Sequence, residues 1–201
     1  MRGALDVIIG SPFSFLSRES SMPLKKWNKL SESVKFKNSW WTYKVDEFSL
    51  SDDLKGEYHY VHTNGASMIV PVLNDGRIVM INQYRYLCEK ESLEFPCGGV
   101  KEGCSYDETA LDELAEEAGY AAREWQIAGE FNPFNGITDE ICCVYIARHL
   151  SPAEKSPDLT EEFERIILQP DEIDARIISG VIWDGMTIAG WTIAKTFIHV
   201  P

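Results

Sequence analysis

Aromatic and β-branched runs separated by turn residues mark the segments of this chain expected to be strands, and a 3.6-residue apolar period marks its helices. Two such runs come early, residues 40–45 and 57–63. The polar turn Ser51-Asp52-Asp53 parts them, so they predict two antiparallel strands. A unit that short cannot bury both faces alone and should pack on its own domain or on a second subunit. Residues 67–73 and 77–86 are more apolar and are joined by Asn74-Asp75-Gly76, which predicts a hairpin entering the core. Leu93-Glu94-Phe95-Pro96 then leads into a glycine-rich stretch.

The clearest helix follows. Ser105 and Glu108 have the spacing of a capping box, and Gly119 supplies the stop. At about 100° per residue, Ala110, Leu111, Leu114 and Ala118 share one face, and Glu113, Glu116 and Glu117 cluster on the adjoining one. Strands are expected at 124–132, 141–148 and 160–168, with the loop Pro133-Phe134-Asn135-Gly136-Ile137-Thr138-Asp139-Glu140 between the first two. A helix opens at Pro170 and closes at Gly180, and a last one runs from about Asp184 to Ile198. In that last helix Ile188, Trp191, Ala194 and Ile198 read as core. His59 and His62 read as strand residues.

Composition narrows the function. A chain of 201 residues fits one domain with an arm, and its formal net charge of -13 without a basic cluster argues against nucleic-acid binding. A small anionic substrate held through a metal remains compatible with that charge. The cysteines, Cys88, Cys97, Cys104, Cys142 and Cys143, are odd in number and lack a Cys-x-x-Cys pair, so they read as reduced thiols in a cytoplasmic protein. No segment is apolar for long enough to span a membrane. Residues 1–21 make a poor signal peptide and read as a poorly ordered N-terminal extension, with Met22-Pro23-Leu24 a credible start. Residues 22–64 then form a strand arm suited to dimerisation, and 65–201 the main domain.

Three carboxylates at i, i+3 and i+4 repel one another, and a hard divalent cation would offset that repulsion while keeping waters for a phosphate to replace. The alternative is a solvated acidic helix face. The flanking residues carry a resemblance that favours the metal. Gly98, Glu113, Leu114, Glu116, Glu117, Gly119 and Tyr120 stand in register with the Nudix box. Two charged positions of that pattern differ, with Cys104 in place of a Glu and Asp112 in place of an Arg. Residues 83–86 and 93–99 are similar to the ADP-ribose pyrophosphatase branch of the family.

The resemblance implies an α/β fold, a Nudix-type α/β/α sandwich with a mixed central sheet between the box helix and the C-terminal helices, preceded by the antiparallel arm. It implies metal-dependent hydrolysis of a nucleoside diphosphate linked to another group, ADP-ribose or a sugar nucleotide. Glu113, Glu116, Glu117 and the Cys97 carbonyl would hold Mg²⁺ or Mn²⁺, and Glu140 would activate water. Arg85 suits a substrate phosphate because its planar fork pairs with two oxygens, and a surface ion pair with Glu94 or another acid is the equal alternative. In the homodimer that the resemblance implies, Trp40, Trp41 or Tyr43 could stack on a nucleobase, with Trp41 the one singled out, or serve as interface core. The altered box leaves open a second function, a nucleotide-binding sensor or scaffold with weakened catalysis.

Overall fold

A computed structural model describes residues 24–51, 53–153 and 162–198. The expectations for the 1–21 extension, for Met22 and Pro23, for Asp52 of the arm turn and for residues 160–161 of the last strand lie outside these residues. The arm is a three-stranded antiparallel sheet in the order β1-β2-β3, made of β1 (Asn28–Lys37), β2 (Thr42–Ser51) and β3 (Leu54–His62). The hydrophobic pattern predicts no strand where the first of these lies. Its apolar residues Leu30, Val34 and Phe36 are all about half exposed, so no buried face announces it. The ladder to β2 holds it instead, supported by Trp27 stacked on Phe48 at 4.2 Å and Phe36 against Trp41 at 5.3 Å between ring centroids.

Two further sheets build the main domain. The first is mixed, with the order β7-β4-β9-β8 for β4 (Ala66–Pro71), β7 (Cys97–Gly99), β8 (Tyr120–Phe131) and β9 (Cys142–Pro152). Within it β4 and β9 run parallel and the other neighbours antiparallel. The second is antiparallel, in the order β10-β5-β6, for β5 (Ile78–Arg85), β6 (Lys90–Glu94) and β10 (Glu164–Leu168).

The hairpin expected from 67–86 therefore divides between sheets. Its turn forms, with Leu73 N–H donating to the Arg77 carbonyl at 2.8 Å and Gly76 at φ +83°, but pairing ends after the bridge between Val72 and Ile78. The reason is that β4 is buried on both faces and already has β7 and β9 as neighbours, which leaves β5 no edge to join.

Alternation along β4 and β9 sorts the core into two layers. Met68, Val70, Cys142, Val144 and Ile146 pack with Trp191 and Ala194, whereas Ile69, Cys143, Tyr145 and Ala147 pack with Ala110, Leu114 and Ala118. The mixed sheet thus lies between α1 (Tyr106–Glu116) on one face and α3 (Gly185–Ala194) on the other, the expected α/β/α sandwich. Ser105 caps α1 in a complete capping box, and Gly119 past its end sits at φ +71°. The third helix, α2 (Pro170–Ile178), meets α3 where Trp191 Nε1 donates to Asp174 Oδ1 at 2.8 Å. Asp184 caps α3 by accepting from Thr187 N–H at 2.7 Å, and a short 3-10 turn, Lys195–Phe197, carries the chain on to buried Ile198.

Candidate active site

Anchoring α1 through Ala110, Leu114 and Ala118 fixes the direction of its adjoining face. Glu113, Glu116 and Glu117 consequently line one side of a cleft of about 510 Å³. Cys97 and Gly98 of β7 also line it, as do Gln83 and Arg85 near the end of β5. The β1–β2 turn of the arm contributes Trp40 and Trp41.

Two carboxylates close on the backbone of β7. Glu117, only 8% exposed, accepts from the Cys97 N–H through Oε2 at 2.9 Å. The Glu113 carboxylate occupies the space that a Cβ at position 98 would take, so glycine there is a steric requirement of the site. Gly98→Ala is expected to displace Glu113 and lower turnover at least about 10-fold while the protein still folds, because a misplaced group of this kind costs orientation more than stability. Steady-state kinetics beside a thermal melt checks this.

Both readings of Arg85 meet in one place. Its guanidinium forms a two-point pair with Glu94, Nε to Oε1 at 2.8 Å and Nη2 to Oε2, and it also lines the cleft. The pair is not a surface one on the acid's side, since the Glu94 side chain is 5% exposed and that of Arg85 46%. Glu94 raises the Arg85 pKa above its usual value. An arginine anchored in this way presents a fixed cationic edge, with less side-chain entropy to lose when an anion arrives.

Glu140 sits one hydrogen bond behind the cleft wall. It does not line the cleft, but its Oε2 accepts from the hydroxyl of Thr63, which does, at 3.0 Å. Beside this pair His62 Nδ1 lies 2.7 Å from Asp139 Oδ2. Thr63, and His62 as more than a strand residue, were not legible as site residues. Their partners are 77 positions away, and no short motif spans that distance. Trp41 lines the cleft, as does Trp40, and also packs against Phe36 within the arm.

The Cys97 thiol lies against that of Cys142, and this contact, together with burial and the nearby Glu117 and Glu113, holds its pKa well above the usual thiol value. It is therefore a poor nucleophile, and the cleft is offered the backbone of Cys97. Iodoacetamide is expected to modify exposed Cys88 and Cys104 well before Cys97, Cys142 or Cys143, a sequence that mass spectrometry of partly labelled protein would show.

Among the described residues, no three His, Cys, Asp or Glu side chains are gathered closely enough to hold a metal as they stand. The donor chemistry nonetheless fits a hard divalent ion. Three carboxylates face one cleft, two of them seated on the Cys97-Gly98 backbone, and all are oxygen donors.

Residues 62–184 match the NUDIX domain. A methanol dehydrogenase activator from Bacillus methanolicus is 36% identical over 148 residues, which cover 72% of this chain and 79% of the relative. An ADP-ribose pyrophosphatase from Bacillus subtilis is 32% identical over 118 residues, 59% of this chain and 64% of the enzyme, so the match spans just under two thirds of that relative's length. Among solved structures, an ADP compounds hydrolase superposes with a TM-score of 0.76 at 20% identity, covering 88% of this chain and 96% of the other. At that identity the superposition speaks for the fold.

Proposed function

From the premise that this chain belongs to the NUDIX family, we propose that it is a pyrophosphohydrolase acting on a nucleoside diphosphate linked to another group, with ADP-ribose or a sugar nucleotide as substrate. One observation carries the reading. The box helix delivers Glu113, Glu116 and Glu117 to a cleft that Arg85 also lines, which gives a place for cations beside a place for phosphate oxygens.

In this reading Glu113, Glu116, Glu117 and the Cys97 carbonyl would hold Mg²⁺ or Mn²⁺, which would supply neutralisation of diphosphate charge and a more acidic water. Arg85, steadied by Glu94, pairs with phosphate oxygens and keeps the diphosphate in line. Glu140, which stands just outside the cleft lining, accepts the proton of the attacking water as general base through one bridging water. Trp41 offers its ring to the nucleobase. Substrate binding at an arm-lined cleft fits a homodimer, since Leu30, Val34 and Phe36 present exposed apolar surface that a second copy could cover. Five cysteines without a disulfide among the described residues are consistent with a reducing, cytoplasmic setting.

Cys104 and Asp112, the two departures from the box, do not line the cleft. That placement supports an active enzyme over a binding-only sensor. The test is product formation from a panel of ADP-ribose, sugar nucleotides and dinucleotides, with Mg²⁺ or Mn²⁺ and with chelator. Chelator-sensitive turnover is the expected result. Metal-dependent binding of a panel member without turnover would favour the sensor.

A further inference from the structure

The loop at 133–140 is fastened to the end of the arm by a set of backbone and side-chain hydrogen bonds. Tyr58 Oη donates to the Gly136 carbonyl at 3.1 Å, Val61 N–H to the Ile137 carbonyl at 2.9 Å, and Asp139 N–H to the Val61 carbonyl at 3.3 Å. Asp139 then spans two arm residues, with Oδ2 at 2.7 Å from His62 Nδ1 and Oδ1 accepting from Thr63 N–H at 3.4 Å. The last fastening is the one from the Thr63 hydroxyl to Glu140 Oε2 at 3.0 Å.

We propose that Thr63 is a positioning residue, whose hydroxyl holds the Glu140 carboxylate against the cleft while the His62–Asp139 pair clamps the loop that carries it. The proposal rests on the reading of Glu140 as the base. A hydroxyl has one proton to give, and here its direction is set. Gly65 N–H donates to Thr63 Oγ1 at 3.1 Å, which occupies an acceptor position of the oxygen and leaves its proton for Glu140. Glu140 is only half-buried on a loop whose tip, from Phe134 to Ile137, is exposed. Without the Thr63 hydroxyl its carboxylate would sample rotamers that point into solvent, away from Thr63 and the cleft wall. The bond therefore contributes to the chemical step by keeping the base in the orientation it needs, and contributes little to binding.

The inference also gives the arm a second duty. β3 supplies every one of these fastenings except those of Thr63, which follows it directly, so displacing the arm displaces the base.

The experiment is a double-mutant cycle on the full chain, using the substrate from the panel that is turned over fastest. Thr63→Val removes the hydroxyl and keeps the shape. It is expected to lower kcat about 10-fold with KM changed less than about 2-fold, and Thr63→Ser should restore kcat to within about 3-fold of the original. Glu140→Gln should lower kcat about 100-fold or more, and Thr63→Val/Glu140→Gln should be no worse than Glu140→Gln alone, because the hydroxyl then has no base to position. If Thr63→Val does not fold, Asp139→Ala unfastens the loop from its other side and carries the same expectation of a kcat loss without a KM change.

Effects of Thr63→Val and Glu140→Gln that multiply, or a Thr63→Ser variant as impaired as Thr63→Val, would overturn the positioning role. So would a Thr63→Val enzyme with unchanged kcat beside an impaired Glu140→Gln. Full turnover by Glu140→Gln would instead overturn the assignment of the base, and the proposal with it.

Discussion

Glu117→Gln abolishes most of the activity and leaves the fold intact: kcat is expected to fall about 10³-fold, with a melting temperature equal to or slightly above that of the parent. The substitution is nearly isosteric. A glutamine side-chain carbonyl can still accept from the Cys97 N–H, so the 2.9 Å bond that seats the residue on β7 survives. What disappears is the charge, and with it one anionic oxygen donor for a hard cation. Stability should not suffer, because Glu113, Glu116 and Glu117 crowd the C-terminal end of α1, where the helix dipole already places partial negative charge. Removing one of them relieves part of that repulsion and gives up the attraction between Glu117 and Arg85, and the two changes offset each other. A variant that keeps both its activity and its divalent-ion affinity would mean that the acidic stripe is only a solvated helix face.

Trp191→Ala acts on the opposite side of the sheet and is expected to cost about 4 kcal/mol. Trp191 is 1% exposed, tilts against Phe95 at 6.1 Å between ring centroids, and joins α3 to α2 through Asp174. Its truncation empties the layer formed by Met68, Val70, Val144 and Ile146, and also deletes the indole hydrogen bond. For a chain of this size that loss corresponds to a fall in melting temperature of about 8–16 °C. Because the site is carried on the α1 face, turnover measured well below the new melting temperature should stay within a few-fold of the parent. Urea unfolding monitored by circular dichroism, beside an assay at low temperature, separates the two effects.

The parts of the fold legible in the sequence are those whose signal is local. The box helix announces itself through Ser105, Glu108 and Gly119 and through an apolar period that needs no knowledge of its partner, and its cap and stop are found as expected. The last helix is equally plain because Trp191 and Ala194 fall on one face. β1 is not, since an exposed strand held by its neighbour's ladder leaves no buried stripe to detect. The separation of β4 from β5 is a tertiary decision, made by β9 claiming the edge of β4 from 76 residues further along.

The candidate site divides in the same way. Glu113, Glu116 and Glu117 share a helix turn, so their convergence follows from the helical period alone. Arg85 and Glu94 were visible as a possible pair from their opposite charges, whereas the β5–β6 ladder that brings them together and the burial of Glu94 were not. The fastening of Glu140 by Thr63 joins the end of the arm to a distant loop, and only the fold brings them together.

The products of one substrate decide whether this cleft hydrolyses the bond between two phosphoryl groups. ADP-ribose incubated with the protein and Mg²⁺ in ¹⁸O-labelled water, then resolved by mass spectrometry, should give AMP and ribose 5-phosphate, with one label on the phosphate of one product. Neither should form when chelator replaces the metal. Release of ADP and ribose, or of adenine, or metal-dependent binding of ADP-ribose and of every other diphosphate of the panel with no cleavage at all, would contradict the account.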